Sequence, residues 1–201
     1  MSKQITGGYP MKTTEPIRNK QDVNALLNYY LKRGELRNHL LITLCIHTAL
    51  RISDILRLTW DDVYDFEAKR IRRSITIVEK KTGKSKIIAL HKNTIRALVL
   101  YQRKNAKPGK PLIINERIGK AISRIQAHRL ICAAGKALAL HHKTSCHSLR
   151  KTFGYHSWKS GVSPAIIMEI YNHSSLAVTR RYLGVTQDDK NAVYLNMDFI
   201  D

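Results

Sequence analysis

The sequence predicts a mostly helical α+β domain with one small antiparallel sheet. Apolar residues recur three and four apart along most of the chain, which is the spacing of one helix face. Between residues 70 and 91 the period drops to two around a Lys-Lys-Thr-Gly-Lys turn. At 201 residues the chain has the size of one domain and can bury most of its apolar surface.

Residues 1–15, with Gly7, Gly8 and Pro10, read as a flexible arm. Val23, Leu26, Leu27, Tyr30 and Leu31 place a helix at about 20–33, and a stripe of Leu36, Leu40, Leu41, Leu44 and Cys45 places a second at about 36–49. Arg51 falls at the break that ends it, and Ser53 is available to cap a short helix through Leu58. Ile71, Ile75 and Ile77 then alternate with polar residues, and Ile87-Ile88-Ala89-Leu90 forms a second apolar run. Gly83, able to take a positive φ, closes the hairpin between them.

A helix at 93–105 capped by Asn93 follows, then a break at Pro108-Gly109-Lys110-Pro111, a short strand at 112–115, and a helix at 119–137 with Ile122, Ile125 and Ala133. His147 to Lys159 forms another helix. Ser163 and Pro164 start the one carrying Ile166, Ile167 and Ile170. Ser175 caps a short helix that Leu183-Gly184 ends.

Thirty-five Lys and Arg against 15 Asp and Glu leave a net charge of +20, more than solubility requires of a small domain. An anionic partner is implied. Residues 67–129 hold 18 basic and 3 acidic residues, a density suited to tracking phosphates, because neutralising them releases condensed counterions. Cys45, Cys132 and Cys146 form no paired spacing, so neither a disulfide framework nor a zinc ribbon is indicated. His141, His142, Cys146 and His147 match no common zinc pattern either, so no metal and no cofactor is expected. A reducing cytoplasm fits, and the absence of a leader pattern or a long apolar run argues against secretion and membrane insertion.

Candidate chemistry gathers in the C-terminal quarter. His147 and Arg150, three apart, share one helix face, so one can hydrogen-bond a phosphate oxygen while the other forks onto it. His173 follows, and Tyr182 stands nine residues later on the helix that Ser175 caps and Val178 anchors. A tyrosine hydroxyl is a competent nucleophile where its surroundings favour the phenolate. Upstream, Arg51 opens Arg51-Ile52-Ser53-Asp54 at a helix junction, from which a guanidinium can reach outward. Taken singly, an arginine in so basic a chain is a surface charge and a helical tyrosine a core residue. The ordered set is what points to phosphoryl transfer.

Together these segments resemble the tyrosine recombinases, or phage integrase family, over residues 16–185, with motifs in the family's order. The resemblance implies that Arg51 is the first catalytic arginine and Asp54 the acidic residue supporting it. It likewise makes Lys81 the strand-turn lysine, His147 and Arg150 the H-x-x-R pair, His173 the last histidine and Tyr182 the nucleophile. The fold implied is that of a tyrosine recombinase catalytic domain. The reaction implied is metal-independent cleavage and rejoining of double-stranded DNA: Tyr182 forms a 3′-phosphotyrosyl link, and Lys81 protonates the departing 5′-oxygen, in integration, excision or inversion.

The implied partners are DNA, further copies of the chain in a homo-oligomer on DNA (a tetrameric synapse), and accessory DNA-bending proteins, in the cytoplasm at the nucleoid. On this reading residues 16–186 are the catalytic domain and 187–201, an acidic and apolar tail, an assembly segment, with packing in cis on its own domain as the alternative. No separate DNA-clamping domain has room here, so the chain is either a minimal recombinase or a catalytic domain apart from its clamp.

Two departures stand out. Tyr171-Asn172 replaces the family's Leu-Gly before the last histidine, and Asn tolerates the left-handed conformation that Gly would supply. Gly184 stands where a second histidine is common. A type IB topoisomerase, which shares the tyrosine chemistry, and a DNA-binding module without catalysis are the alternatives.

Overall fold

A computed structural model describes residues 14–197, so the arm expected at 1–15 falls almost wholly outside the described residues. The described residues open with α1 (Lys20–Lys32) and α2 (Leu36–His47), followed by single-turn helices α3 (Ile52–Ile55) and α4 (Trp60–Val63). Hairpins β1–β2 (Tyr64–Asp65, Arg70–Ile71) and β3–β4 (Ser74–Val78, Ser85–Ala89) come next, then α5 (Lys92–Asn105) and the pair β5–β6 (Ile114–Asn115, Lys120–Ala121). Five helices complete the described residues: α6 (Arg124–Ala137), α7 (Cys146–Lys159), α8 (Pro164–Tyr171), α9 (Leu176–Leu183) and α10 (Gln187–Asn196). The α+β class is as predicted. The single sheet is not, because the strands form three separate two-stranded antiparallel pairs.

The core is built around α2, which α1, α5 and α7 surround. Every residue from Asn38 to Ile46 is buried, so α2 is a central helix and not the one-sided stripe that its leucines suggest. Two buried hydroxyls are bonded to its backbone: Thr43 Oγ1 donates to His39 O at 2.8 Å and, at the C-cap, Thr48 Oγ1 to Leu44 O at 2.7 Å. Leu26 and Tyr30 of α1, Leu98 of α5, Ile131 of α6 and Leu149 of α7 close around it. Each such side chain contributes roughly 1.5–3 kcal/mol of burial free energy.

Several boundaries differ from expectation for local reasons. The helix expected at 119 starts at Arg124, because Gly119 turns at φ +67 to close β5–β6 and Ser123 with Gln126 forms a capping box. α5 is capped by His91, whose Nδ1 accepts from Asn93 N–H, and not by Asn93 itself. Arg51 occupies the N-cap of α3, and Ser53 does not cap it. α2 ends at His47, and Ala49 then turns the chain at φ +55. The C-terminal signals behave as read: Ser163 accepts from Ala165 N–H ahead of Pro164, Ser175 accepts from Val178 N–H, and Gly184 ends α9 at φ +63. Asn172 takes φ +52, ψ +45, the left-handed turn expected of it.

A second, smaller core joins Ala49 to Ile167 and Tyr171 of α8 and Leu183 of α9. It fixes α8 and α9 against the turn that carries Arg51.

Candidate active site

Arg150 enters the site from the second turn of α7, whose start is set by a Ser145–Ser148 capping box. Its residue is 3 % exposed, and a buried guanidinium must be bonded on its edges. Nη2 donates to Tyr171 O at 3.0 Å, Nη1 donates to Ala49 O, and Cζ lies 4.5 Å over the Tyr171 ring. Tyr171 returns the contact, its hydroxyl donating to Arg150 O at 2.5 Å. Residues 150 and 171 thus lock each other.

Arg51 reaches the same carbonyl from the other side, with Nη2 3.4 Å from Tyr171 O. Its Nη1 pairs with Glu79 Oε2 at 2.7 Å. Among the described residues, each guanidinium bonds protein through only some of its five N–H donors.

His147, one turn before Arg150, and His173, just past the Asn172 turn, flank Tyr182. Ring centroids lie 4.9 Å apart for His147 and Tyr182, and 4.5 Å apart for His173 and Tyr182. Burial first, then the charges of Arg150, Arg51 and Lys81, push His173 down to about 4, so it is neutral at physiological pH. Its Nδ1 lies 3.0 Å from Thr179 Oγ1, which orients the ring and leaves Nε2 for another partner. Desolvation, followed by the charges of Lys151 and Arg150, also lowers His147.

Lys81 sits exposed in the β3–β4 turn, close enough for its charge to act on His173. Asp54, 3 % exposed, accepts Lys80 N–H at 3.0 Å, so it ties the base of that turn to α3. His156 lies apart from this cluster, with Nε2 3.0 Å from Ile17 O.

Four further residues belong to the cluster and were missed in the sequence. Tyr171 figures there only in the departure before His173 and with no role of its own, yet its carbonyl joins both arginines. Lys151 is buried, with Nζ 5.6 Å from the Tyr182 ring centroid, and adds a positive charge beside that phenol. Glu79 and Lys86 face inward from the hairpin, where Lys86 Nζ lies 2.9 Å from Glu79 Oε1. Period-two counting could have found this pair. Ile75, Ile77 and Glu79 fall on one face, and counting back from Ile88 puts Lys86 opposite Ile77, whereas Ile87 of the apparent apolar run points outward.

The site is thus a pocket of cations around one tyrosine hydroxyl, with neutral histidines at its edge. Such a pocket can bind a phosphodiester and stabilise charge gathering on non-bridging oxygens.

The family model described as "Phage integrase family" matches residues 18–188. A probable integrase/recombinase, YoeC, of Bacillus subtilis (strain 168) is 34% identical over 184 residues, which cover 92% of this chain and 97% of that protein. The tyrosine recombinase XerC of Pelobacter propionicus is 29% identical over 79% of this chain, but the match spans only 51% of that longer protein. In structure, the XerA recombinase superposes with a TM-score of 0.75 over 93% of this chain and 68% of its own, at 19% identity. The XerH recombinase in a post-cleavage complex with its difH substrate gives 0.72 over 96% of this chain and 56% of its own, at 20% identity.

Proposed function

The chain belongs to the phage integrase family, and we propose that it is a site-specific DNA recombinase in which Tyr182 attacks a DNA phosphodiester. The observation that carries this reading is that His147 and His173 flank the ring of Tyr182 while Arg51 and Arg150 share the carbonyl of Tyr171, whose ring lies 5.3 Å from that of Tyr182. The free donors of Arg51 and Arg150 bind the non-bridging oxygens, where negative charge grows in the transition state. Tyr182 gives its hydroxyl proton to the imidazole of His147 and forms the 3′-phosphotyrosyl bond, the 5′-oxygen leaves with a proton from Lys81, and reversal of these steps on a new 5′-hydroxyl rejoins the strands. His173 donates a hydrogen bond to the phosphate.

The homo-oligomer on DNA is part of the same proposal. α10 is held to its own body at its start, where Lys159 pairs with Asp189 and Thr186 with Asp189 forms a capping box. Farther along it exposes Val193, Tyr194, Leu195 and Met197, an apolar group that suits a second copy of the chain.

A nicked suicide duplex tests the chemistry. Wild type should trap a denaturant-resistant adduct on the 3′ side of the break with chelator present, and Tyr182→Phe should bind the same DNA and trap none. An adduct from Tyr182→Phe, or a wild-type reaction that stops on chelation, would refute the mechanism.

A further inference from the structure

Glu79 has no part in the steps above, yet it is a fully buried carboxylate between the cations Arg51 and Lys86. Its Oε2 lies 2.7 Å from Arg51 Nη1 and accepts from Thr82 Oγ1 at 2.9 Å, while its Oε1 lies 2.9 Å from Lys86 Nζ. Lys86 Nζ in turn donates to Ile170 O of α8 at 3.1 Å. The Glu79 backbone closes the turn itself, accepting from Gly83 N–H at 2.9 Å and donating to Lys84 O at 3.0 Å. Burial alone would raise this carboxyl, but the Asn172 amide, Lys86 and Arg51 outweigh burial and hold it at about 2, so it is ionised throughout the working range.

Its position rules out one role. The Arg51 side chain keeps 21 % of its surface exposed and that of Glu79 none, so the carboxylate lies on the protein side of the guanidinium. A phosphate arriving from solvent meets Arg51 from the opposite side, and Glu79 does not occupy the place of the phosphate.

We propose that Glu79 is a positioning residue that joins Arg51 to the hairpin carrying Lys81, so that arginine and lysine reach the scissile phosphate as one preset unit. The proposal rests on the recombinase reading. It also gives Thr82 and Lys86 their roles: Thr82 ties the turn beside Lys81 to the carboxylate, and Lys86 ties the carboxylate to α8, whose end precedes His173.

The sign of one substitution separates positioning from mere charge balance. Glu79→Gln keeps the volume and removes a negative charge near the phosphate. If charge alone mattered, DNA binding and single-turnover cleavage would both improve. Positioning requires the reverse for cleavage, a fall of about 10- to 100-fold, the scale on which misplaced reacting groups act, with affinity unchanged or tighter. Much of that fall should vanish in an Arg51→Ala background, since residues working as a unit are not additive. Glu79→Asp, which restores the charge at shorter reach, should recover part of the rate. Thr82→Val, at an exposed turn where folding is not at stake, should slow cleavage in the same direction.

Wild-type adduct formation on the suicide duplex is measured beside these variants. Absence of the wild-type adduct would overturn the recombinase reading and this proposal with it. A normal wild-type adduct with Glu79→Gln and Thr82→Val as fast as wild type, or faster, would overturn the role of Glu79 alone.

Discussion

Gly154 makes room for the Tyr171 hydroxyl: a Cβ at residue 154 would stand 2.5 Å from that oxygen. Residue 154 faces the small core from the middle of α7, one turn beyond Arg150. Gly154→Ala would gain up to about 1 kcal/mol in helix propensity, but forcing the ring aside costs typically 1–3 kcal/mol. The hydroxyl bond to Arg150 O would break, and the carbonyl shared by both guanidiniums would move. The expected result is lower stability and slower cleavage together. Adding Tyr171→Phe should relieve only part of the clash, because ring carbon Cε2 still stands 2.9 Å from that Cβ, and should recover only part of the stability. A single variant as stable and active as wild type would show that α7 and α8 adjust freely here.

Lys81 is assigned the proton for the leaving 5′-oxygen, and its hairpin carries competing lysines. Lys81→Ala should cleave an ordinary duplex poorly and a 5′-bridging phosphorothiolate duplex well, because a thiolate leaves without a proton. Lys86 is held by Glu79 and Ile170 O, so Lys86→Ala should show no such selective rescue. Rescue of the Lys80, Lys84 or Lys86 variant instead would move the general acid within the hairpin.

Stability should fall as pH drops from 7 to 5. His173 and His47 are both pushed down to about 4, in each case chiefly by burial, and burial also lowers His39 and His156. An unfolded histidine titrates near ~6.5, so below that pH the unfolded chain takes up protons that the folded chain refuses. The contribution is complete above ~6.5 and lost progressively toward 4. Glu79 and Asp189, each held at about 2, begin to lose theirs as pH falls into the ordinary carboxylate range, mostly below this window. Urea midpoints at pH 7 and pH 5 measure it, with His47→Gln expected to flatten part of the slope. A midpoint unchanged between the two would contradict the buried neutral state.

What the sequence disclosed and what it hid follow from the range of the interactions. Helix positions, the Asn172 turn, the Ser163 and Ser175 caps and the Gly184 stop depend on residues a few apart, and these were readable. The residues proposed for catalysis were nameable because Arg51, His147, Arg150, His173 and Tyr182 keep a recognisable order. The support behind them was not readable, because Arg150 is held by the carbonyls of Ala49 and Tyr171, and backbone oxygens carry no side-chain signature. Glu79 and Lys86 were concealed differently. In a chain with 35 Lys and Arg, one more hairpin charge looks solvated unless the alternation is counted from the correct isoleucine.

The last test concerns α10. A chain ending after Lys190 keeps the Thr186–Asp189 capping box and the Lys159–Asp189 pair, but loses Val193, Tyr194, Leu195 and Met197. Leu195 is 84 % exposed in the single chain, so removing it opens no cavity, and stability should stay within about 0.5 kcal/mol. Binding of one copy to a single-site duplex should also persist, since the phosphate-tracking charge lies at residues 67–129. Assembly on a two-site duplex should fail, because an exposed apolar group of this kind gains free energy only when a second surface covers it. Sedimentation of full-length and shortened protein on that duplex reads the difference, with recombination measured in parallel. Equal stoichiometry and equal recombination would mean that α10 is not the joint between copies, and the apolar face would then be free of any assembly role.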